Sequence, residues 1–272
     1  MPIGRFVFWF SSGFIVLMII IAITGGFIAP YEPNGMLFPI LQGPSSTNWF
    51  GTDNLGRDVF SRTIIGVRIS IAAGFGSVLF AVCVGSVLGL VASYIPALEA
   101  ILMRIVDALW AFPTVLLAMS IAITMTPGLG LVIMVMGVVY TPVFARLVFG
   151  QSVSVREELF VVAAEAVGCS QKRLLFRHIL PNVAAPIIVQ GTLTAGTAIV
   201  LESSLSFLGV GIQPPTPSWG VMIRTGYKWL ERAPWMAIFP GLAIYLTVVS
   251  LNIIGDRLRI KLDPKQKRKI EI

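Results

Sequence analysis

The chain has 272 residues, 56% of them hydrophobic and 12% charged, with a mean hydropathy of +0.87. Soluble domains carry roughly 25% charged residues, so this composition excludes a soluble protein with a large core and indicates an integral membrane protein of several spans. The formal charge of +7 fits a nucleic acid or an anionic membrane surface, while Cys83 in an apolar run and Cys169 in a charge-bearing one exclude a disulfide framework.

Arg5 precedes an apolar run over residues 6–29. A cleaved signal peptide has an apolar region of only about 7–15 residues. About 20 residues cross the hydrocarbon core, so residues 1–30 are expected to form an uncleaved anchor helix. Residues 31–65 are polar, contain Pro33, Pro39 and Pro44, and are expected to form an extracytoplasmic loop. Its Asn48–Asp58 stretch alternates acids and asparagine. It lacks the sixth-position glycine and closing glutamate of a calcium loop, and is expected to be a tight turn structure held by side chains.

Five more spans follow, over residues 69–95, 105–125, 131–147, 183–209 and 235–254. The first is rich in Ala and Gly, which let helix backbones approach closely in lipid. The second is broken by Pro113, and Pro142 lies inside the third. The expected architecture is all-α, with six transmembrane helices and a basic tail over residues 256–272.

The long amphipathic, charge-bearing stretch between two spans is residues 157–181. Phe160, Ala163, Ala164 and Val167 share a helical face, and Gly168 interrupts the pattern. Ser170 is placed to cap a second helix in which Leu174, Leu175 and His178 share a face, and Pro181 is expected to end it. Two short helices meeting at a glycine suit docking against another protein.

Lys and Arg in the flanks set the orientation. With the N-terminus inside, the inner side collects Arg5, Arg104, Arg146, Arg156, Lys172, Arg173, Arg177, Arg257, Arg259, Lys261, Lys265, Lys267, Arg268 and Lys269. The outer side holds Arg57, Arg62, Arg68, Arg224, Lys228 and Arg232. Fourteen against six places both termini and residues 151–182 in the cytoplasm. Because these basic residues flank apolar spans, the tail reads as an anionic-lipid anchor and no nucleic acid is expected as a partner.

Ionisable residues inside spans are candidates for function. Asp107 is one, and Arg104 three residues earlier is its expected partner. Glu202 is the other: it lines a solute path, or receives hydrogen bonds from Ser203 or Ser206. A proton-coupled carrier would need a ladder of midplane acids and inverted repeats, and the sequence offers neither. An enzyme is equally unsupported. His178 is the single histidine, HExxH and GxSxG are absent, and so is a GxxxxGK[ST] phosphate loop. ATP-driven transport would therefore need separate ATPase subunits.

The pattern Ala163-Ala164, Gly168 and Leu180-Pro181 resembles the EAA loop of permease subunits of binding-protein-dependent ABC importers. Val162 stands where that motif usually has glutamate, and Glu165 lies one helical turn on. The segment NWFGTDNLGRDVFSR, the DALWAFP run, HILPN, LSFLG over 205–209, PPTPSWG and Gly255-Asp256 extend the resemblance to the dipeptide, oligopeptide and nickel subfamily, and to its second (C-type) permease. The resemblance implies a MetI-like type I importer fold over residues 66–255 in a bacterial inner membrane. Implied partners are a second permease in a heterodimer, two ATPase subunits and an outer solute-binding protein. It implies Ala163, Ala164, Glu165, Gly168, Leu180 and Pro181 as the ATPase-coupling loop. No cofactor is expected on this chain, since ATP and Mg²⁺ belong to the ATPase subunits. Peptides are the expected solute, with nickel or a nickel chelate as the runner-up.

Overall fold

The computed structural model describes residues 2–262, with side chains from residue 6 onward. The basic side chains expected at Arg5, Lys265, Lys267, Arg268 and Lys269 therefore lie outside the described residues. In chain order the helices are α1 (Pro2–Ile28), α2 (Val59–Tyr94), α3 (Pro96–Ala111), α4 (Thr114–Ala122) and α5 (Leu129–Arg156). Then come α6 (Leu159–Ala166), α7 (Gln171–Leu174), α8 (Leu180–Leu208), α9 (Trp219–Tyr227) and α10 (Trp235–Leu262). Among the described residues, five segments are long and apolar enough to cross a membrane: α1, α2, α5, α7 joined to α8, and α10. The pair α3–α4, bent by 96°, supplies the sixth when counted as one span.

That bend has a local cause. A residue before proline is pushed out of the helical region. Phe112 is accordingly extended, at φ −84° and ψ 138°, and Pro113 opens α4.

Several boundaries differ from the expectation. The third helix, α3, starts at Pro96, α5 runs on to Arg156 and into the expected 151–182 loop, and α10 runs on to Leu262 and into the expected tail. Two further differences have a clear cause. Residues 59–65, expected to be loop, are helix, because the Asp58 carboxylate accepts the Ser61 N–H at 2.7 Å and caps α2 there. Pro181 does not end a helix. It lies in the first turn of α8, and the chain runs on from α7 through a wide turn over Leu175–Ile179 in which Leu180 N–H bonds the Leu175 carbonyl five residues back. A proline stops an α-helix because it lacks a donor and strikes the carbonyl four residues earlier. The widened turn relieves that clash, so α7 and α8 form one continuous rod.

The core is built on the α2–α5 pair. A Cβ at Gly85 would lie 2.7 Å from the Thr141 carbonyl, and one at Gly89 would lie 2.5 Å from the Ala145 carbonyl. Only glycine permits that approach, and it lets packing replace the hydrophobic effect that lipid does not supply. Met136, Phe144, Ile199, Leu205 and Trp219 fill the interior.

Residues 29–58 fold over one end of the bundle. Asp53 accepts the N–H groups of Leu55 (2.8 Å) and Arg57 (3.0 Å) and is ion-paired with Arg57 at 2.6 Å. Arg62 donates to the Pro33 carbonyl at 2.8 Å and to Asn34 at 2.9 Å. Asp58 accepts from Asn48 at 2.8 Å. With these carboxylates taken up by arginine and amide donors, the segment is the side-chain-bonded turn structure its composition suggests. Trp235 at the start of α10 donates to the Thr52 carbonyl at 3.1 Å, and Phe50 stacks on Phe239 at 3.8 Å. This is the cap end; α6 and α7 lie at the opposite, loop end.

Candidate functional site

The loop-end element is organised by Gly168. At the end of α6 the Gly168 N–H bonds the Glu165 carbonyl at 2.9 Å, and the Cys169 N–H bonds the Ala164 carbonyl at 3.0 Å. This reciprocal closure requires a left-handed residue between helix and exit, and Gly168 has φ +82°. The chain then turns into α7. Ser170 occupies the cap position, but its hydroxyl accepts no capping bond; its carbonyl instead takes the Leu174 N–H at 2.9 Å. The expected serine cap is thus one of backbone only.

The face expected on α6 points outward. Val161 is 1% exposed and turns in, while Phe160, Ala163 and Val167 are exposed and Ala164 is half-buried. Leu159 and Phe176 are exposed as well. Leu174 and Ile179 anchor the other side, each 1% exposed, and the His178 ring lies 6.4 Å from that of Phe160. Glu165 and Pro181 are exposed and Leu180 is half-buried. The six residues of the expected loop therefore belong to one continuous element. It leaves Leu159, Phe160, Val162, Val167 and Phe176 exposed beyond the spans.

Glu202 and Asp107 are elsewhere. Glu202, on α8 near the cap end, is 0% exposed. Ser206 donates to it at 2.8 Å, Ser203 at 3.3 Å, and Ser70 of α2 at 3.3 Å. Ser206 in turn accepts the Ile212 N–H at 3.0 Å, and the Trp219 indole donates to the Thr63 carbonyl at 3.1 Å. In this conformation the carboxylate fastens α2, α8 and the approach to α9 together.

Asp107 does not pair with Arg104. Its partner is Arg146 of α5, whose guanidinium also lies over the Trp110 ring, 5.4 Å from its centre. Arg104 and Asp107 share a helix, but a contact across to α5 joins two spans. Sequence spacing alone reports only neighbours on one helix, so Arg146 was beyond its reach. The pair is nearly half exposed, at 47% for Asp107 and 46% for Arg146.

Among the described residues the fold is an α-helical bundle of five crossings, or six with the bent pair, and a glycine-hinged helical pair at one end. The match that identifies its family covers residues 81–268, and the chain belongs to the binding-protein-dependent transport system inner membrane component family. It is a permease subunit of an ABC importer. It is 46% identical over 228 residues to the dipeptide transport system permease protein DppC of Alkalihalophilus pseudofirmus, a match covering 84% of this chain and 75% of that one. It is also 42% identical over 257 residues to the glutathione transport system permease protein GsiD of Pectobacterium atrosepticum, covering 93% and 85%. Its fold matches the solved MetNI methionine ABC transporter in inward-facing conformations with a TM-score of 0.62 at 17% identity, over 74% of this chain and 96% of that one. The MetI-like fold expected from the sequence is the fold found.

Proposed function

We propose that this subunit forms half of the transmembrane path for peptides, delivered by a solute-binding protein, and that residues 157–181 dock into an ATPase subunit. The observation that carries the docking role is the outward apolar face of Leu159, Phe160, Val162 and Val167, set beyond the spans on a glycine-capped helix. The continuity of α7 with α8 gives the loop a mechanical outlet. When ATP closes the ATPase pair, a push on α6–α7 moves a rod that runs to Glu202 and the cap end. The assembly then shifts between inward- and outward-facing states as packed bodies.

Peptides are the solute class that the named relatives favour, one named for dipeptides and one for glutathione, itself a tripeptide; those names do not favour nickel. A second permease completes the path as a heterodimer, and two ATPase subunits hold the ATP and Mg²⁺. This chain binds no cofactor and catalyses no reaction. The loop end is cytoplasmic, as are both termini, and the cap end faces the binding protein outside a bacterial inner membrane. The domain limits we propose are an anchor over residues 1–30, the outer cap over 31–58, the permease domain from the start of α2 to the end of α10 over 59–262 and the tail beyond it.

Affinity purification of the tagged chain in mild detergent tests the assembly. A second permease and two ATPase subunits should co-purify. Recovery of the chain alone under conditions that preserve other membrane complexes would contradict it.

A further inference from the structure

We propose that Tyr94 and Arg156 brace the docking loop against the end of α2, so that loop and span move as one body. The inference rests on the reading of residues 157–181 as the ATPase-docking element. Arg156 is the last residue of α5, immediately before the loop, and Tyr94 is the last residue of α2. Arg156 Nη1 donates to the Ser93 carbonyl at 2.7 Å, and its guanidinium lies 5.3 Å from the centre of the Tyr94 ring. The Tyr94 hydroxyl donates to the carbonyl of Gln171, the first residue of α7, at 3.0 Å. These three contacts tie α5 to α2 and α2 to α7.

Each part suits its task. The last carbonyls of a helix lack partners within it, and a cation there also meets the negative end of the helix dipole. Arg156 satisfies the Ser93 carbonyl in that way. Tyrosine combines a rigid apolar ring with a polar tip. Like Leu90, Val155 and Leu175, the body of Tyr94 packs against the buried cluster of Val148, Ile179 and Val183, while its tip reaches the loop backbone. The covalent links of α6 are residues 157–158, to α5, and 168–170, to the rod of α7 and α8. The brace adds a tie from α2 to the start of that rod. With it, a displacement of the loop enters α2 and α5, the most closely packed pair of spans, as well as α8.

The test uses the complex assembled with its ATPase subunits, on a Cys83→Ser, Cys169→Ser background. Spin labels are placed on cysteines at Ala166 in the loop, which is not among the docking residues named above, and Leu98 beyond the end of α2, both exposed. Their separation is measured without nucleotide and with nucleotide trapped by vanadate. The expected result is one narrow distance, unchanged by trapping. Tyr94→Phe removes only the hydroxyl, and Arg156→Lys removes the planar guanidinium while keeping the charge. In each the distribution should broaden and shift on trapping, with ATPase subunits still bound at wild-type stoichiometry. A distance that changes on trapping in the wild type, or variants that keep the narrow distance, would overturn the brace. Loss of the docking reading is told apart by Gly168→Val: wild-type transport with ATPase subunits bound would remove that reading whatever the labels report.

Discussion

Asp107 of α3 is ion-paired with Arg146 of α5, and Arg146 also lies against the Trp110 ring one turn along α3. This clamp holds α3 to α5 through a pair that is nearly half exposed, where solvent screens the attraction and an ion pair contributes about 0.2–1 kcal/mol. Asp107→Asn should therefore destabilise the assembled protein by roughly 0.5–1 kcal/mol. Arg104→Gln should cost little. The charge-swapped pair Asp107→Arg with Arg146→Asp should recover part of the loss. Thermal unfolding of the detergent-solubilised complex, analysed as a double-mutant cycle, measures the coupling. Equal effects of Arg104→Gln and Arg146→Gln would show that the interhelical pair does not matter.

At Gly168 the surroundings and the backbone separate cleanly. A Cβ there would meet nothing within 4 Å, yet φ is +82°. A substitution is therefore judged by backbone strain alone. A valine is strained by about 1–3 kcal/mol in that region, whereas asparagine tolerates it. Gly168→Val should release the ATPase subunits or uncouple hydrolysis from transport, and Gly168→Asn should do neither. The readouts are co-purified ATPase and solute moved per ATP hydrolysed. Equal behaviour of the two variants would remove the conformational argument. Val162→Glu, which places the usual motif residue on an exposed site, should be tolerated.

The setting of Glu202 predicts a stability phenotype rather than a change of solute preference. Glu202→Ala leaves the Ser70 and Ser206 hydroxyls facing a cavity at the junction of α2 and α8. A truncation of that kind costs about 2–5 kcal/mol. Glu202→Gln keeps the volume and an acceptor and should be milder. The expected outcome is reduced yield and a lower unfolding temperature with an unchanged KM for solute. A stable Glu202→Ala protein with altered KM would place this side chain on the path instead.

What the sequence made legible follows from periodicity and exclusion. Long apolar runs mark the spans, Pro113 marks a break, and Phe160, Ala163 and Val167 mark an outward face, because each depends only on residues close in the chain. Three features depended on distant partners or on rare backbone geometry. Pro181 reads as a helix stop unless the wide turn over Leu175–Ile179 is known, and no residue pattern announces such a turn. Arg146 reaches Asp107 only once α5 lies beside α3. Ser70, the donor that ties Glu202 to α2, lies 132 residues away in the chain.

Orientation has its own test. Single cysteines at Ser46, exposed in the cap, and at Gln266 in the basic tail should differ toward a membrane-impermeant thiol reagent in intact cells. Labelling at residue 46 but not at residue 266 is expected from the excess of Lys and Arg at the loop end. The reverse pattern would invert the protein in the membrane.

The most direct measurement of the central claim is uptake of a radiolabelled dipeptide by proteoliposomes holding this chain, its partner permease, the ATPase subunits and the solute-binding protein. Uptake should require ATP and the binding protein, persist without a proton gradient, and vanish when this chain is omitted. Uptake driven by a proton gradient in the absence of ATP, or by this chain alone, would contradict the account.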